Sequence, residues 1–317
     1  MSPDRFAFGT LAAVDRDTPA EVVRRLFDTD GAFLVKGLFE PAEILPVRSA
    51  VLGEIRRAGW IRDAEQDAEQ DAEPDAEPDA PRADMAARCA VPEPPYLDLY
   101  DRVISLPRVH ALPHSGSVRA LAGKLGIRDP FLLPRIALRM VFPGTAPTPE
   151  HQDWTTVGGD RNAVTLWTPL TACDLATGPV AVIPRSHARG EGSVAAAADR
   201  WSTAEVRTGD AVVFRSLTIH RALPNTGQSM RVSLDFRLQD AAQPIHPCSL
   251  LPPGRFRTWD DVCEAWGEDD HRYASYWRDN HPAFTPSLAD LRGDLARAEG
   301  DERRYLERVL RQVAPFA

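Results

Sequence analysis

Between Arg135 and Leu238 the chain returns repeatedly to short apolar runs: Arg135 to Phe142, Ala163 to Leu170, Val180 to Ile183, Ala211 to Phe214 and Arg231 to Leu238. Each is rich in Val, Ile, Leu or Phe, and Gly, Pro, Asn and Asp punctuate the intervals. Runs this short give a helix too few turns to bury a face, whereas strand after strand joined by turns uses them fully. The spacing predicts a mainly β core, a sandwich or a barrel. Helices are expected on either side of it, which makes the class α+β. Thr18-Pro19-Ala20-Glu21 reads as a helix start, with Thr18 as cap and Glu21 closing a capping box, and the helix runs to about Asp28. Gly31 to Gly37 reads as a strand and Pro41 to about Ala58 as a helix. Tyr96 to Gly126 is expected to be helical in pieces, with Ser117 as a cap. Helix returns at Trp259, and Ser287 to Val313 carries the dense charge pairing of an exposed amphipathic helix pair.

Size and charge narrow the partners. A chain of 317 residues can bury a core of its own, and residues 1–317 are read as one domain with a C-terminal helical extension at 259–317. The net charge is −9, and nine acids lie between Asp63 and Asp79 alone, in a DAEQ and DAEP repeat with no apolar face. Residues 63–82 therefore read as a disordered acidic insertion, and the remainder is close to neutral. Neither nucleic acid nor an anionic membrane is an expected partner. The start MSPDRFAFGT lacks a secretory pattern and no stretch is apolar enough to span a bilayer, so a cytoplasmic protein is expected. Cys89, Cys173, Cys248 and Cys263 form no CxxC pair, which fits reduced thiols and argues against a zinc knuckle. Oligomeric state is not legible.

The chemistry concentrates at His151-Gln152-Asp153. On an extended chain residues two apart point to the same side, so an imidazole and a carboxylate can share one metal. His220, just after the strand-like Gly209 to Phe214 segment, supplies a third ligand. Two imidazoles and one carboxylate on one face of an octahedral ion leave three positions open, as iron oxygenases need for a bidentate cosubstrate and O2. Arg231 follows His220 by eleven positions, across a turn signalled by Pro224-Asn225-Thr226-Gly227, and a hairpin is expected to return it beside the metal. Its guanidinium can grip a carboxylate through two parallel hydrogen bonds, which suits the distal carboxylate of 2-oxoglutarate. A zinc or nickel cupin working as a hydrolase or isomerase could use the same three ligands, and so could a non-catalytic binding protein. His110, His114, His246, His271 and His281 have no acid at ligand spacing and read as surface or core residues, and His187 reads as structural.

From about Phe27 to Leu238 the chain resembles the phytanoyl-CoA dioxygenase family of iron(II)- and 2-oxoglutarate-dependent oxygenases. The matching pieces are Asp30 to Gly37, Phe142-Pro-Gly144, His151-Gln-Asp153, Leu166-Trp-Thr-Pro-Leu170, Gly178 to His187, Gly209-Asp210, His220, Asn225 and Arg231. The resemblance implies a double-stranded β-helix, the cupin-like jelly roll, with helices packed outside and the metal at one open end. It implies iron(II) on His151, Asp153 and His220, and 2-oxoglutarate held by Arg231 with help from Ser233. Gln152 and Trp167 would line the cosubstrate pocket. Trp154 and Arg237 are expected to meet a small-molecule primary substrate, with Asp235 near enough to neutralise Arg237. Because halogenating relatives carry Gly or Ala where Asp153 stands, hydroxylation, desaturation or ring formation is expected. Bacterial relatives commonly tailor secondary metabolites.

Overall fold

The computed structural model describes residues 8–62, 80–196, 198–256, 258–278 and 283–313. The acidic repeat and His281 lie outside the described residues, apart from 80–82 at the end of the expected insertion, where Arg82 bridges to Ser229. In chain order the strands are β1 (Gly9–Thr10), β2 (Ala13–Asp15), β3 (Ala32–Lys36), β4 (Pro130–Val141), β5 (Val164–Pro169), β6 (Val180–Val182), β7 (Ser202–Thr203), β8 (Ala211–Arg215), β9 (His220–Ala222) and β10 (Arg231–Asp240). A major sheet runs β2-β3-β8-β5-β10-β4 and a minor sheet β1-β7-β6-β9. Leu34, Trp167, Val212 and Phe214 of the first interleave with Val180 and Val182 of the second, so the sheets close face to face as a double-stranded β-helix. The expected core strands all form. Strands β1, β2, β7 and β9 carried no readable signal because each is two or three residues long and lacks the apolar run that marks β6.

Strand β10 shows how the sequence builds two surfaces at once. Val232, Leu234, Phe236 and Leu238 point outward into the main apolar cluster, beneath helices α1 (Ala20–Thr29), α2 (Pro41–Arg57), α3 (Pro94–Ile104), α4 (Pro107–Ala111) and α5 (Gly116–Leu125). Each such side chain contributes about 1.5–3 kcal/mol by leaving water. The alternate residues Arg231, Ser233, Asp235 and Arg237 take the other face, toward the minor sheet. On β4, in antiparallel register with β10, Arg139 lies opposite Ser233 and Ala137 opposite Asp235, so the same face continues to the sheet's edge.

Short helix α6 (Trp154–Val157) follows the His-x-Asp motif, and the tail adds α7 (Trp259–Cys263), α8 (Arg272–Ser275), α9 (Leu288–Leu295) and α10 (Gly300–Val313). The last two pack together through Leu291, Leu306 and Val309. The four cysteines are free and buried. Among the described residues no helix is long and apolar enough to cross a membrane.

Three local expectations are corrected. Thr18 does not cap α1: Pro19 occupies the N-cap position, and the Thr18 hydroxyl accepts from the Asp15 amide instead. The cap of α5 is Ser115, whose hydroxyl accepts from Val118 N at 3.3 Å, while Ser117 donates to Glu43 at 2.5 Å. The segments carrying His220 and Arg231 form no hairpin, because β9 pairs with β6 in the minor sheet and β10 with β5 and β4 in the major one. The turn at Pro224 to Gly227 carries the chain between sheets. A close approach also ties two sequence motifs together: a Cβ on Gly31, at φ 72°, would lie 2.1 Å from His187 Nδ1. That contact keeps residue 31 a glycine and gives His187 its structural place.

Candidate metal centre

His151 and His220 meet as an isolated antiparallel bridge, each amide donating to the other's carbonyl at 3.0 Å. This backbone exchange brings the two rings to a centroid distance of 4.2 Å. His151 Nδ1 lies 2.9 Å from Pro149 O, and His220 Nδ1 lies 3.0 Å from Thr218 O. A ring nitrogen that faces a carbonyl has to be the donor, so each Nε2 is left with its lone pair free. Both lone pairs look toward Asp153 Oδ1, at 3.6 Å from His151 Nε2 and 3.7 Å from His220 Nε2. One ligand atom from each residue lies within 4.8 Å of the others. Asp153 arrives by a turn and not by strand alternation: its backbone is helical, φ −57° and ψ −36°, at the N-cap of α6. Two neutral imidazoles and one carboxylate converging this way fit a divalent first-row metal such as iron(II).

The carboxylate is anchored from behind. Thr165 Oγ1 donates to Asp153 Oδ2 at 2.6 Å, and Arg237 forks across it, Nε to Oδ2 at 2.9 Å and Nη2 to Oδ1 at 3.1 Å. Asp235 Oδ1 sits 2.8 Å from Arg237 Nη2 on the far side. Burial alone would raise the Asp153 pKa, but Arg237 and the two imidazoles hold its carboxyl well below the usual range, so it is ionised and ready to ligate. Burial lowers the His220 pKa, keeping that ring neutral as a ligand must be. Burial pulls His151 the same way, but Asp153 and the Pro149 carbonyl outweigh it and the pKa rises. A metal arriving there displaces a proton at low pH.

Deeper in the cavity Arg231 is 2% exposed. It donates to the Gly178 carbonyl, yet its Nε has no hydrogen-bond partner and no carboxylate pairs with it among the described residues. Gly178 holds that carbonyl in place with φ 83°; a Cβ there would lie 2.4 Å from Leu223 O. Two residues along the same strand face, Ser233 is fully buried with a hydroxyl that also lacks a partner. Trp167, Val180 and Phe214 wall the chamber joining Arg231 to the three candidate ligands.

Three expected site residues sit differently. Gln152 points away from the cavity, its Nε2 donating to Gly190 O at 2.9 Å and Leu217 O at 2.8 Å. Trp154 opens α6 with its indole toward Gly159 O at 3.4 Å and lines neither cavity around the ligands. Arg237 braces Asp153 and is paired with Asp235, so it is not a free contact for substrate. Sequence reading passed over Thr165, Arg135 and Arg139. The two arginines had a signal: in Arg135-Ile-Ala-Leu-Arg139-Met-Val, cations alternate with apolar residues on a strand that was recognised.

In front of the ligands a wider cavity of about 370 Å³ opens between β4, α6 and the segment around Cys248 and Ser249. Its walls include Arg135, Arg139, Thr148 and Thr156.

Residues 27–233 match the family model described as phytanoyl-CoA dioxygenase (PhyH). Over 118 residues, 30% of this chain and 42% of the relative, the sequence is 28% identical to 1-deoxypentalenic acid 11-beta-hydroxylase of Streptomyces exfoliatus. The aligned stretch is thus under half of that relative's length. Among solved structures, AviO1 from Streptomyces viridochromogenes Tue57 is similar at a TM-score of 0.49 and 20% identity, over 71% of this chain and 96% of that one. The non-heme alpha ketoglutarate dependent carbocyclase SnoK from nogalamycin biosynthesis is similar at 0.48 and 21%, over 77% and 95%. The family model covers well over half of the sequence and takes in all three candidate ligands and Arg231. The chain belongs to the phytanoyl-CoA dioxygenase family of iron(II)- and 2-oxoglutarate-dependent oxygenases.

Proposed function

We propose that the protein is a dioxygenase that oxidises a C–H bond of a small molecule, with iron(II) on His151, Asp153 and His220 and with 2-oxoglutarate held at its distal carboxylate by Arg231 and Ser233. The observation that carries this reading is the pair of orphaned polar groups on β10. A buried guanidinium whose Nε is unpartnered and a buried hydroxyl with no partner each cost free energy; they share one face of one strand, and Arg231 lines the chamber that the ligands share. A carboxylate placed between them satisfies both. A hydrolytic metal cupin has no use for that arrangement.

Bound iron supplies the activation of O2 and the oxidising power. The residues do the rest. Pro149 and Thr218 carbonyls fix which ring nitrogens face the ion, and Arg237 with Thr165 fixes the carboxylate rotamer. Arg231 sets how far the cosubstrate enters, and Trp167 and Phe214 keep bulk water from its acyl chain. Because Asp153 fills the third ligand position, hydroxylation, desaturation or cyclisation is favoured over halogenation. A role in tailoring secondary metabolites agrees with the named relatives, and O2 and 2-oxoglutarate are its co-reactants.

Succinate formation in the presence of iron(II), 2-oxoglutarate and O2, tested against a panel of small organic molecules, is the direct assay. Succinate that depends on both iron(II) and Arg231 is expected. Intact 2-oxoglutarate under all conditions, with no retention of it by the iron-loaded protein, would refute the assignment.

A further inference from the structure

Four arginines of the major sheet line the front cavity or the inner chamber: Arg135 and Arg139 on β4, Arg231 and Arg237 on β10. Two acids face them, Asp153 and Asp235, and Arg237 is ion-paired to both. Arg231 is taken by the far end of 2-oxoglutarate in the reading above. Arg135 and Arg139 are left with no ion pair among the described residues; the nearest acceptors are the backbone carbonyls of Cys248 and Leu138, each at a long 3.5 Å. Both line the wide front cavity, together with Thr148 and Ser249. A divalent ion adds two further positive charges to the same space, and the cosubstrate dianion cancels only those. Both residues are exposed toward solvent, and like charges that line one cavity with no counter-charge repel one another, a repulsion that a bound anion removes.

We infer that Arg135 and Arg139 form an anion subsite for the primary substrate, which therefore carries a carboxylate, phosphate or sulfate group a few bonds from the C–H that is oxidised. The subsite rests on the iron and 2-oxoglutarate reading, since that reading assigns Arg231 elsewhere. Alternate positions on one extended strand place the two guanidiniums along the same wall, so they hold the acid group at the edge strand β4 while the rest of the molecule reaches toward His151 and Asp153. Geometry of this kind makes the pair a determinant of which molecules enter, and of which of their carbons lies nearest the ligands.

The test is calorimetric titration of the full chain, loaded anaerobically with iron(II) and saturating 2-oxoglutarate so that no turnover occurs. The probes are a set of aliphatic, alicyclic and aromatic carboxylates, each beside its uncharged amide, and then inorganic phosphate and sulfate. At least one acid is expected to bind tenfold or more tightly than its amide. In R135Q/R139Q that preference should vanish while affinities for iron(II) and 2-oxoglutarate stay within twofold of the parent, and R135K/R139K should restore part of it. Tighter binding of phosphate than of every carboxylate would assign the group to a phosphate ester. Equal binding of every acid and amide pair, or an undiminished preference in the double glutamine variant, overturns the subsite. A loss of 2-oxoglutarate affinity in that variant overturns it too, by giving the arginines to the cosubstrate. Failure of iron and 2-oxoglutarate to bind the parent protein is a separate result and counts against the function itself.

Discussion

The two faces of β10 are made by the same eight residues, Arg231 to Leu238, and they do opposite work. The outward face, Val232, Leu234, Phe236 and Leu238, is apolar and sealed by helices. The inward face, Arg231, Ser233, Asp235 and Arg237, is polar, and at its first two positions it is equally hidden: Arg231 is 2% exposed and Ser233 not at all, with Asp235 and Arg237 half-buried. A protein keeps that many polar groups inside only if they are paired or await a partner. Asp235 is ion-paired with Arg237, and Arg237 also with Asp153, so both belong to the structure of the metal centre. Arg231 Nε and the Ser233 hydroxyl have no partner, which is why the proposed function gives these two residues to a ligand. Burial alone therefore does not separate core from site; satisfaction does.

Substitutions that split the two faces test this division. The largest effect lies at the common focus: His220→Ala is expected to lower iron(II) affinity by more than about a hundredfold, beyond what loss of a supporting contact does, and to abolish succinate formation. On the outward face Phe236→Ala should cost about 3–5 kcal/mol of stability in chemical denaturation, with 2-oxoglutarate affinity of the folded protein unchanged. On the inward face Arg231→Gln should do the reverse, weakening 2-oxoglutarate by about a hundredfold, since a buried charged partner is worth roughly 2–5 kcal/mol, without lowering the melting temperature. If Arg231→Gln unfolds the protein as Phe236→Ala does, the inward face is core after all. The smallest effect is expected at Arg237→Gln. That change should weaken iron(II) by about tenfold, the lower end for a residue that orients a ligand, and leave 2-oxoglutarate affinity of the loaded protein nearly intact. Equal losses for metal and cosubstrate would erase the distinction between paired and waiting groups.

How much of this could be read from the sequence follows from which interactions are local. The alternation of Arg231 to Leu238 is a property of consecutive residues, so the strand, its two faces and the companionship of Arg231 and Ser233 were legible. The clustering of the three candidate ligands was legible because His151 and Asp153 sit two apart, and His220 lies just after a strand. The hairpin between His220 and Arg231 was wrong because a turn sequence fixes that the chain bends and not which sheet it joins next. Gln152 and Trp154 were misplaced, and the pairing of Arg237 with Asp153 was unforeseen, for a similar reason. Their partners, Leu217, Gly159 and Asp153, follow from tertiary packing and from the helical backbone at Asp153, which breaks the extended geometry assumed for the motif. Thr165 was invisible because its partner lies twelve positions away on another element.

The convergence of two Nε2 atoms and one Oδ1 is the claim on which the rest depends, and metal stoichiometry tests it most directly. Equilibrium dialysis of iron(II) under anaerobic conditions should retain one equivalent on the parent protein and essentially none on Asp153→Ala, with circular dichroism unchanged between the two. One equivalent bound with undiminished affinity by the folded Asp153→Ala protein would place the metal elsewhere.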